Sequence, residues 1–317
     1  MKSIWREILM SVFMGMILPG IVLSFGVRNQ ETQDKKEEMD TPQADTGTIS
    51  MLLRQENGST REMEMDDYLL GVVLAEMPAS FEPEALKAQA VASRTYTLKA
   101  METGGKHGDG SVCVNSTCCQ AYVDPQNYLS RGGTQENLDK VHSAVVATSG
   151  YVLTYQGELI EATYFSCSGG STEDALAVWG TDYPYLQAMP SPGEEGAAHF
   201  TDTVTFSLEE FSRKLDVSLS GEDWLGGALY TEGGGVGTIT IGGKDFSGTQ
   251  VRSALNLRST NFEISFLGDT VTITTKGFGH RVGMSQYGAD AMAVSGSNYG
   301  QILAHYYQGT DLTLWKN

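Results

Sequence analysis

Residues 74–96 read LAEMPASFEPEALKAQAVASRTY. They hold the end of one helix, a turn, and most of a second helix. Upstream, in MDDYLLGVVLAEM, the residues Leu69, Val72, Val73 and Glu76 fall at i, i+3, i+4 and i+7, the spacing of one helical face. Asp66 or Asp67 supplies the N-cap. Pro78 then turns the chain, because a residue before proline is driven out of the helical region. Ser80 or Glu82 opens the next helix, with Pro83 tolerated in its first turn. That helix, EALKAQAVASRTYTLKAM, is rich in alanine and admits close neighbours. Glu76 stands out as an ionisable carboxyl on an apolar face at a helix C-terminus. Partial desolvation and the negative end of the helix dipole both raise a carboxyl pKa there. A carboxyl that keeps its proton near neutrality can serve as general acid and then as general base. The other reading of Glu76 is a surface group paired with Lys87 or Arg94.

Working outward, TISMLLRQENGSTREMEM reads as two strands around a turn at Asn57-Gly58. Residues 103–135 are turn-rich. LDKVHSAVVATSG is a short helix closed by Gly150. YVLTYQGELIEATYFSCSGG is a strand pair turning near Gln156-Gly157. FSLEEFSRKLDV is an amphipathic helix. GVGTITIGGKDFSGTQVRSAL gives strands around a glycine turn and then a helix, and NFEISFLGDTVTITTKG is another strand pair. YGQILAHYYQG is a helix capped at Ser297 or Asn298 and ended by Gly309. No repeat of solenoid length is visible. Strand pairs on short turns, mixed with helices, predict an α+β fold with mostly antiparallel strands and packed helices.

The chain has 317 residues and a net charge of −18, which argues against nucleic acid and leaves neutral ligands such as sugars open. There is no Walker motif and no GxGxxG after a strand. Lys2 and Arg6 precede ILMSVFMGMILPGIVLSFGV, residues 8–27, which carries no charge. About 20 helical residues span about 30 Å, the thickness of a bilayer core. A cleaved secretory signal is the alternative, opposed by the length of the run and the lack of an A-x-A site. The expected organisation is a cytoplasmic stretch 1–7, a transmembrane anchor 8–27, a flexible linker 28–47 and an extracytoplasmic domain 48–317.

Two further stretches carry chemistry. In KHGDGSVCVNSTCCQAY, His107, Cys113 and Cys119 form a His-x5-Cys-x5-Cys array that can supply three ligands to zinc. Water, Cys118 or Cys167 would be the fourth, and disulfides remain the competing reading. In KGFGHRVGMSQYGADAMA, glycines bring the backbone close to a ligand and His280 and Gln286 can bond sugar hydroxyls, or the loop is simply a tight structural turn. Ser285 caps the helix that follows. Trp179, Tyr183 and Tyr185 suit sugar stacking, yet aromatics also build cores.

Together, GVVLAEMPASFEPEALKAQAVASRTY, FSCSGGSTE, GHRVGMSQYGADAMA and YGQILAHYYQGT resemble the stage II sporulation protein D (SpoIID/LytB) family, in the family's order and over roughly residues 48–313. The resemblance implies a lytic transglycosylase that cuts the MurNAc–GlcNAc β-1,4 bond of denuded peptidoglycan during engulfment in an endospore former, leaving 1,6-anhydro-MurNAc ends. It implies Glu76 as the catalytic acid, with Lys87 and Arg94 binding substrate or orienting Glu76. Tyr164, Ser168, Thr172, His280 and Gln286 would contact glycan. It implies structural zinc at His107, Cys113 and Cys119, and work beside a cell-wall amidase, with the catalytic domain between the mother-cell and forespore membranes. A non-catalytic glycan-binding module that activates an amidase is the rival. Two positions depart from the family pattern: Cys167, where a small hydroxyl residue is commoner, and Arg281, where glycine is favoured.

Overall fold

A computed structural model of the chain describes residues 49–316 apart from 56 and 222. The expected anchor at 8–27, with the stretches on either side of it, lies outside them. Among the described residues no helix is long and apolar enough to cross a membrane.

The chain opens with a hairpin, β1 (Ser50–Arg54) and β2 (Thr60–Glu64), whose register pairs Leu52 with Glu62 across the Asn57-Gly58 turn. Helix α1 (Met65–Glu76) follows without a break. Its N-cap is Glu64, which makes no side-chain cap bond, so Asp66 and Asp67 sit in the first turn and not at the cap. Asp66 is needed elsewhere, as the partner of Arg94. Met77 has φ −123° and ψ 143°, the extended conformation that Pro78 demands of its predecessor, and this ends α1 directly after Glu76. Helix α2 (Pro83–Thr103) begins at N-cap Glu82 with Pro83 in its first turn.

Helix α2 is the axis of the larger core. Ala85, Ala88, Ala90 and Ala92 are all buried, and their small side chains let α1 and later helices approach. A short 3-10 turn (Gly105–His107) leads to β3 (Val112–Cys113), which lies parallel to β1. Helices α3 (Pro125–Ser130) and α4 (Gln135–Ala147) come next. Strands β4 (Tyr151–Tyr155) and β5 (Glu158–Leu159) form a tight hairpin with positive φ at both Gln156 and Gly157. The sequence pattern extends this strand pair to Gly170. Instead β6 (Tyr164–Phe165) leaves it, to be paired much later in the chain. Helix α5 (Ala175–Trp179) closes this half.

Residues 201–276 build a second, smaller core around Phe211, Trp224, Ile241, Val251, Phe262 and Ile273. Its elements are β7 (Thr201–Ser207), α6 (Leu208–Leu215), β8 (Leu225–Tyr230), β9 (Val236–Ile241), β10 (Lys244–Ser247), α7 (Gly248–Leu255), β11 (Phe262–Leu267) and β12 (Thr270–Lys276). They make two antiparallel sheets, ordered β10-β9-β8 and β11-β12-β7. The structure exposes a duplication here. FSLEEFSRKLDV (206–217) and FSGTQVRSALNL (246–257) each form a strand end and a helix. Each helix has a serine N-cap, Ser207 or Ser247, and a left-handed C-cap, Asp216 at φ 52° or Asn256 at φ 54°. The matched Phe211/Val251 and Leu215/Leu255 fill the core.

After this insertion β13 (Met284–Ser285) returns to lie parallel to β6. Helices α8 (Gln286–Val294) and α9 (Tyr299–Tyr306), capped by Ser285 and Asn298, pack on α2, and β14 (Asp311–Leu314) pairs with β4. The class is thus α+β with mostly antiparallel sheets; the two parallel pairs are only two residues long.

Candidate active site and metal centre

Glu76 is the last residue of α1 and is partly buried. Its Oε1 accepts the Ala121 N–H at 2.7 Å and its Oε2 accepts the Gln286 carboxamide at 3.4 Å. Burial raises its pKa, and the two hydrogen bonds oppose the rise. The same Gln286 amide also donates to Gln89 Oε1 at 3.4 Å. Gln89 donates to Ser93 Oγ at 2.9 Å, and Ser93 reaches Tyr164 OH at 3.4 Å. Tyr164 donates to Gln120 Oε1 at 2.8 Å, and the Gln120 amide donates to Thr97 Oγ1 at 2.9 Å and Tyr68 OH at 3.2 Å. A polar chain therefore runs from Glu76 through α8, α2 and β6 to the residue next to Ala121. It brings Glu76, Gln286 and Tyr164 together. Burial, and next the Glu76 charge, raise the Tyr164 pKa well above its ordinary value, so its hydroxyl stays neutral.

The other expected contacts are placed elsewhere. Arg94 is wholly buried and donates to Asp66 Oδ1 at 2.9 Å, Thr148 O at 2.7 Å and Tyr151 O at 3.2 Å. It is a strut joining α1, α2 and β4, and it has no open face for a sugar. Lys87 pairs with Glu84 at 2.7 Å and lies 5.9 Å over the Tyr299 ring, while Glu84 accepts the Tyr299 N–H. Lys87 thus serves the start of α9 and not Glu76. Ser168 and Thr172 are buried, and their hydroxyls hold backbone groups at Gly170, Gln187 and Met189. His280 accepts the Val282 N–H at Nδ1 and sits between Phe165 and Trp179, with ring centroids 5.6 and 5.2 Å away. Burial lowers its pKa to about 4, so it is neutral near pH 7. Its Nδ1 is thus taken up by the loop's own backbone, as a tight structural turn requires. Tyr185 is core, and its hydroxyl accepts the Glu161 N–H. Trp179 is 40% exposed and remains free to meet a ligand.

Arg281 explains a departure from the family pattern. Its φ is 66°, a left-handed conformation that suits glycine. Its guanidinium makes four bonds in return, to Glu173 (3.0 Å), Ser168 O (2.7 Å), Ser171 O (2.8 Å) and Gly233 O (2.6 Å). The bond to Gly233 ties the smaller core to the larger.

The structure also brings His107, Cys113, Cys118 and Cys119 together, with one ligand atom of each within 4.8 Å of all the others. A tetrahedral zinc site has S···S edges of about 3.8 Å and S···N edges of about 3.6 Å, given Zn–S near 2.3 Å and Zn–N near 2.1 Å. Here Cys118 and Cys119 sulfurs lie 3.9 Å apart, and His107 Nε2 lies 3.8 and 3.6 Å from them. Cys118 and Cys119 point the same way because both their N–H groups bond Asn115 O, which curls this stretch into a turn. Burial and the neighbouring Cys113 and Cys118 thiols push Cys119 up to about 12. Such crowding of ionisable thiols is relieved by a divalent cation. Of the candidates for a fourth ligand, Cys118 is the side chain that joins this group. Cys167 takes no part in this group: it is buried, its thiol donates to Glu194 Oε2 at 3.1 Å, and all four cysteines are free.

Gln89, Ser93, Gln120 and Ala121 were missed from sequence. Gln89 and Ser93, four residues apart on an alanine face, were a usable signal: polar side chains there are buried with the alanines and need partners. Nothing local marks Gln120 or Ala121.

A family model described as "SpoIID: Stage II sporulation protein" matches residues 54–155. The stage II sporulation protein D of Bacillus amyloliquefaciens is 42% identical over 265 residues, 82% of this chain and 77% of that protein. Its namesake in Bacillus subtilis (strain 168) is 41% identical over the same shares. A Bacillus subtilis protein named "Amidase enhancer" is 32% identical over 77% of this chain and 40% of its own length.

Proposed function

Because this chain belongs to the stage II sporulation protein D (SpoIID) family, we propose that it is a peptidoglycan lytic transglycosylase with Glu76 as its single acid–base group. One observation carries this reading. Glu76 is half-hidden with a raised pKa, and among the described residues its hydrogen-bond partners are only donors, Ala121 N–H and the Gln286 amide. Burial favours the protonated form that must donate; the two donors favour the carboxylate that must accept. The group is poised between the two.

The chemistry needs one such group. The carboxylic acid gives its proton to the glycosidic oxygen as the C1–O bond breaks and the leaving sugar departs as an alcohol. The muramyl 6-hydroxyl attacks C1 from within the same sugar. The carboxylate takes the hydroxyl proton, which closes the 1,6-anhydro ring and restores the acid. No water is consumed, so the second carboxylate that hydrolytic glycosidases use to activate water or attack C1 is not required. Gln286 bonds the acid directly, and Tyr164 stands further along the same polar chain, held by Ser93 and Gln120.

His107, Cys113, Cys118 and Cys119 would hold zinc. Four protein ligands with three thiolates make a closed, structural site, which would order the loop and not catalyse. Residues 8–27 would anchor the domain outside the cytoplasmic membrane, in the space between mother cell and forespore, where glycan strands are its substrate. The relative named amidase enhancer supports a cell-wall amidase as partner. That name also favours a second reading, a glycan-binding module that stimulates an amidase without cutting. Mass spectrometry of products from peptide-stripped glycan separates the two. Wild type should release 1,6-anhydro-muramyl ends and Glu76→Gln should release none while still binding glycan. Wild type that stimulates an amidase yet forms no anhydro ends would establish the second reading.

A further inference from the structure

The loop that carries the ligand cluster ends on the acid. Cys118 and Cys119 contribute two of the four ligand atoms. Gln120 follows, 2% exposed, with its carboxamide bonded to Thr97, Tyr68 and Tyr164. Ala121 then gives its N–H to Glu76 at 2.7 Å. Tyr122 stacks on Tyr68 with centroids 5.7 Å apart, and Val123 N–H bonds Gly71 O at 3.1 Å. This close seat on α1 needs glycine at position 71: a Cβ there would lie 2.3 Å from the Tyr122 ring.

Residues 118–123 belong to no helix or strand. No ladder of backbone bonds fixes the direction of the Ala121 N–H. Its aim is set from outside: by the ligand cluster on one side, by Gln120 over α2, and by the Tyr122–Val123 seat on α1. We propose that the His107–Cys113–Cys118–Cys119 cluster, when it holds its metal, is the positioning device for the Glu76 carboxyl, acting through Gln120 as positioning residue. The metal pins the beginning of the segment and Gln120 sets its height over α2. Together they aim one backbone donor at one carboxylate oxygen. Coupling of this kind is reciprocal, so whatever frees the loop also frees the acid. The functional meaning rests on Glu76 being the acid proposed above; the mechanical linkage does not.

The test uses the full chain, loaded with zinc or, as a spectroscopic probe of the thiolate cluster, with cobalt(II). Amide exchange is followed by NMR at Ala121 and at Leu153, whose N–H bonds Thr95 Oγ1 in another part of the core. Removing zinc should speed Ala121 exchange about tenfold or more, the scale of one lost hydrogen bond to a charged group, and leave Leu153 nearly unchanged. Gln120→Ala, with its cobalt–thiolate band intact, should show the same selective loss at Ala121. On stripped glycan its kcat should fall about tenfold with KM little changed, because the binding surface is intact and the acid is mis-aimed. Unchanged Ala121 exchange in Gln120→Ala overturns the proposal. So does unchanged exchange after zinc removal. Zinc removal that loosens Leu153 as much as Ala121 also overturns it, because the metal would then hold the core as a whole and not this segment. If wild type proves inactive on glycan, the exchange data still decide the linkage, so the two readings fail separately.

Discussion

Arg281 offers a sharp test of the packing between the two cores. Its side chain and that of Glu173 are both fully buried, and the pair is 3.0 Å apart. Removing the cation strands a buried carboxylate and orphans three backbone carbonyls, at Ser168, Ser171 and Gly233. Breaking a buried pair from one side costs about 3–5 kcal/mol. The backbone at 281 works the other way. Its φ of 66° costs any residue with a Cβ about 1–2 kcal/mol, and glycine escapes that cost. Arg281→Gly should therefore lose about 2–4 kcal/mol, whereas Arg281→Ala keeps the strain and should lose about 1 kcal/mol more. At about 2–4 °C per kcal/mol for a domain of this size, the glycine variant should melt roughly 5–15 °C lower. Adding Glu173→Gln to Arg281→Gly should recover part of the loss, since it removes the stranded charge. Thermal melts and urea titrations of the four proteins provide the comparison. The order is the decisive result: wild type, then the Arg281→Gly, Glu173→Gln double variant, then Arg281→Gly alone, then Arg281→Ala. An alanine variant as stable as the glycine variant, or a glycine variant within about 2 °C of wild type, would refute the reasoning.

Other outcomes follow from the same geometry. The Glu76 pKa is raised above 4.5 by burial, so its contribution to stability is full below the unfolded pKa and is lost as pH rises through the folded one; Glu76→Gln should thus melt above wild type at pH 7, and the difference should vanish below pH 4.5. The same titration predicts that glycan cleavage by wild type declines as pH rises through the folded pKa, because the acid form must donate; a flat alkaline limb would exclude Glu76 as that acid. Three thiols, Cys113, Cys118 and Cys119, should react with a disulfide reagent after chelation, while Cys167, buried and pushed up to about 12, should react only on unfolding.

Local chemistry made much of the fold legible. Asn57-Gly58, Gln156-Gly157, Pro83 and Ser285 each carry a turn or cap signal within a few residues, and the structure uses each one. Glu76 at the end of its helix was equally legible, because Pro78 fixes where the helix stops. What the sequence hides is direction and distance. Arg94, Ser168 and Thr172 are polar residues in motifs that resemble a glycan site, and sequence does not reveal that they face inward. The adjacency of Cys118 and Cys119 suits neither an extended strand nor a mutual bridge. Only the turn built on Asn115 lets both face one centre. The duplicated strand–helix unit at 206–217 and 246–257 was present in the letters. Its signal rests on a serine, two core positions and an Asp/Asn cap, too sparse to stand out without the paired geometry.

The pairing of β6 with β13 has a temporal consequence. Glu76 lies near the start of the described chain and Gln286 near its end, and the smaller core is spelled out between β6 and its partner. A ribosome delivers these parts in order. Until α8 has emerged, the acid has at most one of its two donors, and α2 has neither of the late helices that pack against it. A half-made chain therefore lacks the finished centre. The topology delays the assembly of the proposed wall-cutting group until α8, which follows the smaller core along the chain, has been made to complete it.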